Sequence, residues 1–258
     1  MAKLAANLTM MFTHLPFLDR FAAAAQAGFR AVEFQFPYDE DAGAIRRAAD
    51  EAGVRVVLFN LSPGNWATGE RGFACLPGRD DDWDRAVTQA LDYASALDCQ
   101  NLHAMAGFPP ADMPRETALD LYCKRLALAA ERAHAEGRRI LIEALNSRDV
   151  PGYLILNSDD AAAIIARVGH PALRLQFDLY HAQIMEGDLT RRMERLLPII
   201  GHVQIAAVPD RNEPDQGECN PHHLLNSLDR LGYGGWVGCE YRPSGDTVAG
   251  LGWAARYL

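Results

Sequence analysis

The feature that most constrains this chain is the regular return of short β-like runs separated by helical stretches. Eight such runs cover residues 4–10, 31–37, 55–61, 101–107, 139–145, 173–181, 202–209 and 236–243. A chain of 258 residues that alternates in this way, without a Pro/Gly/Ser-rich linker, predicts an α/β protein with a single (β/α)8 barrel domain over residues 1–258. A doubly wound open sheet is the alternative, but it usually carries a glycine fingerprint after its first strand, and none is present here.

The residues around the helical stretches indicate where helices begin and end, and which loops are long. Gly137 is placed to end the helix before the fifth run, while Asn220 and Pro221 supply an N-cap and a first-turn proline for the last one. The connections at 62–80 and 206–220 are long and follow the third and seventh runs. Loops that follow strands lie at the C-terminal face of a barrel, so we expect the active site at that face.

Several runs alternate between apolar and polar residues, which predicts an unusually polar barrel interior. Side chains alternate along a strand, and the apolar set belongs against the helices. The polar sets are Glu33 and Gln35 in the second run, Arg174, Gln176, Asp178 and Tyr180 in the sixth, His202 and Gln204 in the seventh, and Glu240 and Arg242 in the eighth. A polar interior costs stability and therefore suggests a function.

The fifth run lies within the stretch RRILIEALNSRDVPGY, where Glu143 directly follows three apolar residues. An unpaired buried charge costs on the order of several kcal/mol, so another group must compensate it. When the last four runs are aligned by their late polar residue, Asp178, Gln204 and Glu240 fall at the matching depth, one in each β/α unit. These four oxygen-bearing side chains are expected to converge near the barrel axis.

Three carboxylates at such close range repel one another and need a proton or a cation. Oxygen ligands suit Mg2+ or Mn2+ better than zinc. Taken singly, a strand-end glutamate is readily explained by a salt bridge to an arginine, and Gln204 alone means little. The complete set of Glu143, Asp178, Gln204 and Glu240 nevertheless predicts a shared metal or substrate site.

A site of this kind suits the isomerisation of a 1,2-hydroxycarbonyl compound. A metal can chelate both oxygens, polarise the carbonyl and stabilise the enediolate that forms when a carbon-bound proton leaves. Glu143 and Glu240 can then act as base and acid on the two faces of that intermediate. The residues therefore predict an aldose–ketose type isomerase, an intramolecular oxidoreductase.

Composition and charge bear on partners and location. The formal net charge is −9 and no basic run is present, so nucleic acid and anionic membranes are not expected partners. Five scattered cysteines without a C-x-x-C pair indicate free thiols in a reducing cytoplasm. The N-terminal residues lack a signal-peptide core, and no window reaches the roughly 18 apolar residues of a membrane span. We expect a soluble cytoplasmic enzyme acting on a small molecule; its oligomeric state stays open.

Several segments resemble the hydroxypyruvate isomerase family of the xylose-isomerase-like TIM barrel group. They are FNLSPGNWATGERGFACLPGRDDDW at 59–83, IEALNSRDVPGYLI at 142–155, FDLYHAQIMEGDL at 177–189, QIAAVPDRNEPDQGECN at 204–220 and GCEYRP at 238–243. The resemblance runs along essentially the whole chain. It implies Glu143 and Glu240 as catalytic proton donors and acceptors, with Asp178 and Gln204 completing a Mg2+ site. Sugar 3-epimerases of similar fold usually have a histidine where Gln204 stands.

The substrate implied by the resemblance is an anionic keto acid, which needs a positive partner in this acidic chain. By similarity to the sugar enzymes, His181 and Arg211 are expected to contact substrate oxygens. Arg71, Arg211 and Arg148 are candidates for the substrate carboxylate, because arginine suits bidentate contacts; a solvated loop position is the alternative for Arg71 and Arg148. Two aromatic residues of the third loop are expected either to cover the site or to pack on the surface: Trp66 and Phe73.

The function that follows is interconversion of hydroxypyruvate and 2-hydroxy-3-oxopropanoate. The family also includes 2-oxo-tetronate isomerases, whose substrate has one more carbon. The segments NLSPGNW and EPDQGE differ from the forms usual in the family, which leaves C3 and C4 substrates both open. Three rivals remain: a sugar 3-epimerase, an endonuclease of the same barrel type that uses a histidine-rich zinc cluster, and a non-catalytic barrel that binds a sugar acid.

Overall fold

Eight parallel strands close into a barrel, because the last strand pairs with the first as well as with the seventh. The computed structural model describes residues 1–258. The strands are β1 (Lys3–Asn7), β2 (Ala31–Glu33), β3 (Arg55–Asn60), β4 (Asn101–His103), β5 (Arg139–Glu143), β6 (Leu173–Asp178), β7 (Ile200–Ile205) and β8 (Trp236–Cys239). The predicted (β/α)8 barrel is confirmed.

The helices surround the barrel, but they are not distributed one to a unit. They are α1 (Asp19–Gln26), α2 (Ala42–Ala52), α3 (Asp80–Leu97), α4 (Arg115–Ala135), α5 (Ser158–Val168), α6 (Leu179–Met185), α7 (Leu189–Leu196) and α8 (Pro221–Arg230). Two of them, α6 and α7, follow β6, and only a 3-10 segment, Ala249–Ala254, follows β8. The predicted cap of α8 is confirmed, since Asn220 accepts a hydrogen bond from the His223 amide.

The predicted sixth run was too long, and its error has a clear physical cause. Residues 179–181 belong to α6 rather than to the strand. The Asp178 carboxylate accepts a hydrogen bond from the Tyr180 amide and so caps the first turn of α6. The strand therefore ends at Asp178, and Tyr180 does not continue the inward face that the alternation predicted for it. The other runs were also predicted a few residues too long at their C-terminal ends.

The barrel interior is polar, as the alternation predicted. Apolar side chains fill the space between strands and helices in one large core that includes Phe21, Phe34 and Phe59. Inside the barrel and at the strand ends, the nearly inaccessible polar residues include Asn7, Glu33, Asn60, His103, Glu143, Gln176, Asp178, His202, Gln204 and Glu240. Burying this many polar groups is tolerable only if they are hydrogen-bonded or paired. Buried polar groups that lack such partners therefore point to a candidate functional site.

The long connection after β3 is held in place by a buried arginine. Arg125 of α4 donates hydrogen bonds to the carbonyls of Phe73, Ala74 and Leu76 and pairs with Asp80. The ring of Phe73 is buried and packs on Trp83, so Phe73 is a core residue and does not cover the site.

Two further expectations from composition can be compared with the structure. All five cysteines are unpaired thiols, as predicted. None of the helices combines the length and apolar character that crossing a bilayer requires.

Candidate active site

Three carboxylates meet at the C-terminal end of the barrel. Glu143 and Asp178 are the last residues of β5 and β6, and Glu240 directly follows β8. Their accessible fractions are 4%, 3% and 6%. Nη2 of Arg211 lies 2.6 Å from Oε2 of Glu240 and 3.4 Å from Oδ2 of Asp178, so one guanidinium nitrogen bridges two of the carboxylates. The structure brings these residues together as the alignment of the runs predicted.

Arg211 is the positive group that pairs with two of the buried carboxylates. It lies in the loop after β7, with a left-handed backbone conformation at φ 56°. Its amide donates to the Ala207 carbonyl and its own carbonyl accepts from the Arg242 amide, so both sides of this unusual conformation are hydrogen-bonded. The guanidinium also lies over the ring of Tyr180, 4.9 Å from the ring centroid. Arg211 was predicted to bind substrate; here its primary partners are Glu240 and Asp178.

The proton affinity of all three carboxyl groups is increased. Burial raises the pKa of Glu143 well above its ordinary value, and the charges of Glu240 and Asp178 raise it further. Burial raises the pKa of Asp178 to about 6 and that of Glu240 to about 7, although Arg211 lowers both. Three carboxylates facing a single guanidinium leave two uncompensated negative charges when all are ionised. Protons or a divalent cation would relieve this excess.

His181 lies beside the carboxylates as a neutral hydrogen-bond donor. Its Nδ1 accepts from the Asn146 amide at 3.0 Å, and the Asn146 side-chain nitrogen is 2.7 Å from the same atom. A backbone N–H can only donate, so Nδ1 is unprotonated and Nε2 carries the proton. Burial lowers the pKa of His181 well below its usual value, followed by the positive charge of Arg211. Nε2 lies 3.6 Å from Oδ2 of Asp178 and is oriented to donate into the site.

His103 at the end of β4 is a site residue that the sequence reasoning missed. Its Nε2 is 3.7 Å from Oε2 of Glu143, and burial lowers the pKa of His103 to about 3. Neither ring nitrogen has a hydrogen-bond partner, and Oε1 of Glu143, Oε1 of Gln176 and Nε of Arg211 are also unpaired. Buried polar atoms without partners are rare, so their concentration here indicates a place where a polar ligand binds. The run NLHAMAG is mostly apolar, so the sequence pattern did not indicate His103 as an inward polar residue.

Gln204 was predicted to be a metal ligand, and the structure places it in a hydrogen-bonded row inside the barrel. Its Nε2 donates to Oε1 of Glu33 at 2.8 Å, and its Oε1 accepts from Nε2 of Gln176 at 2.7 Å. The Cα of Gln204 pairs with that of Asp178 across β6 and β7. A carboxamide oxygen has a second lone pair, so ligation by Gln204 stays a prediction. Glu33 and Gln176 were recognised only as inward polar residues.

The donor atoms of the site fit a hard divalent cation. Ligand atoms of Glu143, Asp178 and His181 lie within 4.8 Å of one another. The protonated Nε2 of His181 cannot coordinate a metal, which leaves oxygen donors, the type that Mg2+ and Mn2+ prefer. The unpaired Oε1 of Glu143 and the two uncompensated charges both favour a cationic partner. Glu143, Asp178 and Glu240 are the residues that would hold it, with Gln204 as the predicted fourth ligand.

Two other predicted arginines lie outside this cluster. The guanidinium of Arg71 stacks on Trp66, 3.5 Å from the ring centroid, and donates to the Glu70 carbonyl. Trp66 in turn packs on Phe36 and is 43% exposed. Arg148 donates to the Pro209 carbonyl and lies 3.8 Å from Asp149. Neither arginine contacts a carboxylate of the site.

The chain is similar along its whole length to named isomerases. The chain is 50% identical over its full length to 99% of a 2-oxo-tetronate isomerase from Cupriavidus necator. It is 41% identical to a hydroxypyruvate isomerase from Escherichia coli, with both chains fully covered. The crystal structure of a protein named AP endonuclease, family 2, from Brucella melitensis superposes with a TM-score of 0.98 at 48% identity, covering 100% of this chain and 99% of that one.

More distant structures share the fold. A D-psicose 3-epimerase from Clostridium cellulolyticum has a TM-score of 0.77 at 18% identity, covering 96% of this chain and 88% of that one. Residues 21–257 match the profile of a single family. Together with the full-length relatives, this match shows that the chain belongs to the xylose isomerase-like TIM barrel family.

Proposed function

We propose that this protein isomerises small 2-keto hydroxy acids, interconverting hydroxypyruvate and 2-hydroxy-3-oxopropanoate or the analogous 2-oxo-tetronate pair. The observation that carries the proposal is the cluster of Glu143, Asp178 and Glu240 around Arg211 at the C-terminal end of the barrel. Full-length relatives named 2-oxo-tetronate isomerase and hydroxypyruvate isomerase support this reaction class. They also support an isomerase over a non-catalytic barrel.

The two glutamates are suited to the two proton transfers. β5 and β8 are three strands apart around the barrel, so Glu143 and Glu240 approach a substrate at its centre from different sides. One carboxylate removes a proton from C3 of hydroxypyruvate, and the electron pair moves into the C2 carbonyl to form an enediolate. The other glutamate delivers a proton to C2, while the C3 hydroxyl proton passes to the oxygen on C2. The product carries an aldehyde at C3 and a hydroxyl at C2.

Neighbouring groups stabilise the charge that develops on the substrate oxygens. His181, protonated on Nε2, can donate a hydrogen bond to an enediolate oxygen. Burial, which lowers the pKa of both His181 and His103, keeps them neutral at pH 7, so neither imidazole competes with the glutamates for a proton. A Mg2+ or Mn2+ ion bound by Glu143, Asp178 and Glu240 would polarise the carbonyl and stabilise the negative charge.

Arg242 is our candidate for the substrate carboxylate, in addition to Arg211 and Arg71. It lines a cavity of about 420 Å³ with Thr9 and His14 at the mouth of the barrel. The guanidinium groups of Arg211 and Arg71 already have protein partners, whereas that of Arg242 has no hydrogen bond or ion pair. Its cavity lies next to Glu240, because the Arg242 amide donates to the carbonyl of Arg211.

Turnover of hydroxypyruvate and of a 2-oxo-tetronate by the purified protein, measured side by side with and without EDTA, tests the proposal. We expect both to be isomerised, with activity lost in chelator and restored by Mg2+ or Mn2+. Absence of turnover on both substrates in the presence of either metal would contradict the proposed reaction. Full activity in EDTA would contradict the metal but leave the isomerase intact.

Assays with other substrates test the rival functions. Product analysis on a ketohexose tests a sugar 3-epimerase. A duplex with an abasic site tests the endonuclease activity for which the Brucella melitensis protein is named. Two histidines lie within 4 Å of Glu143 or Asp178, namely His103 and His181. Because a histidine-rich zinc cluster needs more imidazoles than these two, we expect no strand cleavage.

A further inference from the structure

A fourth carboxylate, Glu33 at the end of β2, lies completely buried inside the barrel and makes no salt bridge with an arginine or lysine. Three side chains donate to it: Nε2 of His202 at 2.6 Å, Nε2 of Gln204 at 2.8 Å and Nδ2 of Asn7 at 2.9 Å. Such a carboxylate is costly to bury unless its hydrogen bonds are satisfied. Here it is satisfied by donors that connect it to the active site.

The hydrogen bonds to Glu33 determine which way the Gln204 carboxamide faces. An ionised carboxylate can only accept, so Gln204 must turn its NH2 group toward Glu33 and its oxygen away. That oxygen accepts from Gln176, so the hydrogen bonds run in one direction, from Gln176 through Gln204 to Glu33. If Gln204 rotated by half a turn, its NH2 group would replace the oxygen that is predicted to face a cation. Glu33 therefore selects the orientation that allows metal ligation.

Asn7 connects Glu33 to the predicted catalytic residue Glu240. Its Nδ2 lies between the two carboxylates, 2.9 Å from Oε1 of Glu33 and 3.4 Å from Oε1 of Glu240. Its Oδ1 accepts from the Thr9 amide, which fixes the other end of the carboxamide. The Asn7 and Glu33 Cα atoms are partners across β1 and β2, so the connection depends on the register of the barrel.

A glycine in β8 makes room for this carboxylate. A Cβ added at Gly238 would overlap with both carboxylate oxygens of Glu33. The three nearest atoms are the carboxylate atoms at the far end of the Glu33 side chain, so an alanine at this position would displace the carboxylate. Gly238 thus offers a way to move the charge of Glu33 without removing it.

We propose that Glu33 is a positioning residue that orients the amides of Gln204 and Asn7 toward the metal and toward Glu240. This inference rests on the proposed function in its assignment of Gln204 and Glu240. Partners of metal ligands typically change metal affinity by about 10- to 100-fold when they are replaced. Glu33 does not contact the substrate in this role; it acts through its two neighbours.

The test uses Glu33→Gln, which removes the charge, and Gly238→Ala, which displaces it. Each has a matched control: Glu213→Gln replaces an equally buried glutamate that accepts from the Ser244 amide. Gly201→Ala adds a methyl group in β7 against Leu141 and Arg174. Mn2+ binding to the metal-free folded proteins is measured by titration calorimetry, together with thermal unfolding and with kcat and KM on hydroxypyruvate.

We expect Glu33→Gln and Gly238→Ala each to weaken Mn2+ binding at least about 10-fold and to lower kcat more than they raise KM. Both controls should bind Mn2+ as the unchanged protein does. A lower unfolding temperature with unchanged Mn2+ affinity and unchanged kcat would make Glu33 merely structural and would overturn the proposal.

The outcome also separates this inference from the proposed function. If the unchanged protein isomerises hydroxypyruvate without binding Mn2+, the metal proposal fails, and the role of Glu33 is decided by kcat alone. A fall in kcat in both variants would then support the connection through Asn7, and an unchanged kcat would overturn it. If the unchanged protein isomerises neither substrate, the reaction is wrong, and unchanged Mn2+ affinity in both variants would overturn the inference separately.

Discussion

The two halves of the barrel differ in the polar side chains near the ends of their strands. The inward polar residues near the ends of β1 to β4 are Asn7, Glu33, Asn60 and His103, whereas those of β5 to β8 are Glu143, Asp178, Gln204 and Glu240. In the first half, the single carboxylate has three neutral or histidine donors. In the second half, three carboxylates share one guanidinium, and an oxygen of Glu143 has no partner.

This difference indicates a division of roles. The second half concentrates charge that the protein does not neutralise, which costs stability but suits the proposed proton transfer and metal binding. In the first half the Glu33 carboxylate is satisfied, although the ring nitrogens of His103 are not, and Asn7 and Gln35 reach across to Glu240 at 3.4 Å each. We interpret the first half as the part that holds the second in position. The following predictions test that interpretation, from the largest expected effect to the smallest.

The largest effect is expected from Glu143→Gln and Glu240→Gln. Each change removes a proposed acid or base while keeping the shape of the side chain. We expect the rate of hydroxypyruvate isomerisation to fall by about two or more orders of magnitude in each variant, equivalent to roughly 2.7 kcal/mol or more. Circular dichroism and thermal unfolding serve as controls for folding. A variant that keeps near-full activity would remove its glutamate from the mechanism.

A smaller effect is expected from Arg211→Met, which removes the guanidinium that pairs with Glu240 and Asp178. Glu240 and Asp178 then lose their positive partner, and we expect the metal-free protein to lose about 2 kcal/mol of unfolding free energy, less than for a completely buried pair because Arg211 is partly accessible. Denaturant unfolding with and without Mg2+ measures this. Mg2+ should stabilise the variant more than the unchanged protein, because the ion replaces the missing charge. Equal stabilisation of both proteins would argue against binding at these carboxylates.

The smallest effect is a pH dependence of stability that arises from Glu143. Its folded pKa is raised by burial, so between the unfolded pKa and the folded pKa the native state holds more protons than the unfolded state. Stability contributed by this group therefore falls as pH rises through that window. In EDTA, the unfolding free energy of Glu143→Gln relative to that of the unchanged protein should therefore increase as the pH rises above about 4.3, the ordinary pKa of a glutamate.

The same comparison in saturating Mg2+ is the control for this pH dependence. A bound cation stabilises ionised Glu143, so the advantage of the glutamine variant should disappear. A difference between the two proteins that does not change with pH in EDTA would show that burial does not disfavour the charged form of Glu143.

Much of the site could be predicted because it depends on patterns that are visible in the sequence alone. Glu143, Asp178 and Glu240 each stand at a strand end, so closing the barrel necessarily brings them to one face. Arg211 was identified as a positive group of the seventh loop, but its pairing with Glu240 and Asp178 was not predicted. The conformation of this loop depends on a left-handed backbone at Arg211, which no local residue pattern predicts.

The residues that were missed act through neighbours that are distant in the chain. His103 reaches Glu143, and Glu33 reaches His202 and Gln204, which are 169 and 171 residues away from it along the chain. Alternation marked Glu33 and His202 as inward, but it could not indicate which of the inward groups would pair. Side-chain partners inside a barrel are set by strand register and stagger, which are global properties of the closed sheet.

The sequence by itself determined the barrel, the end of the barrel where the candidate site lies and the three carboxylates that meet there. Strand-and-helix periodicity and the position of polar residues within each run are local properties, so they can be read without coordinates. Only the tertiary structure decided that Arg211 pairs with Glu240 and Asp178, that His181 is a donor and that Phe73 is a core residue. These facts depend on distances between residues from different units, and such distances exist only once the barrel has closed.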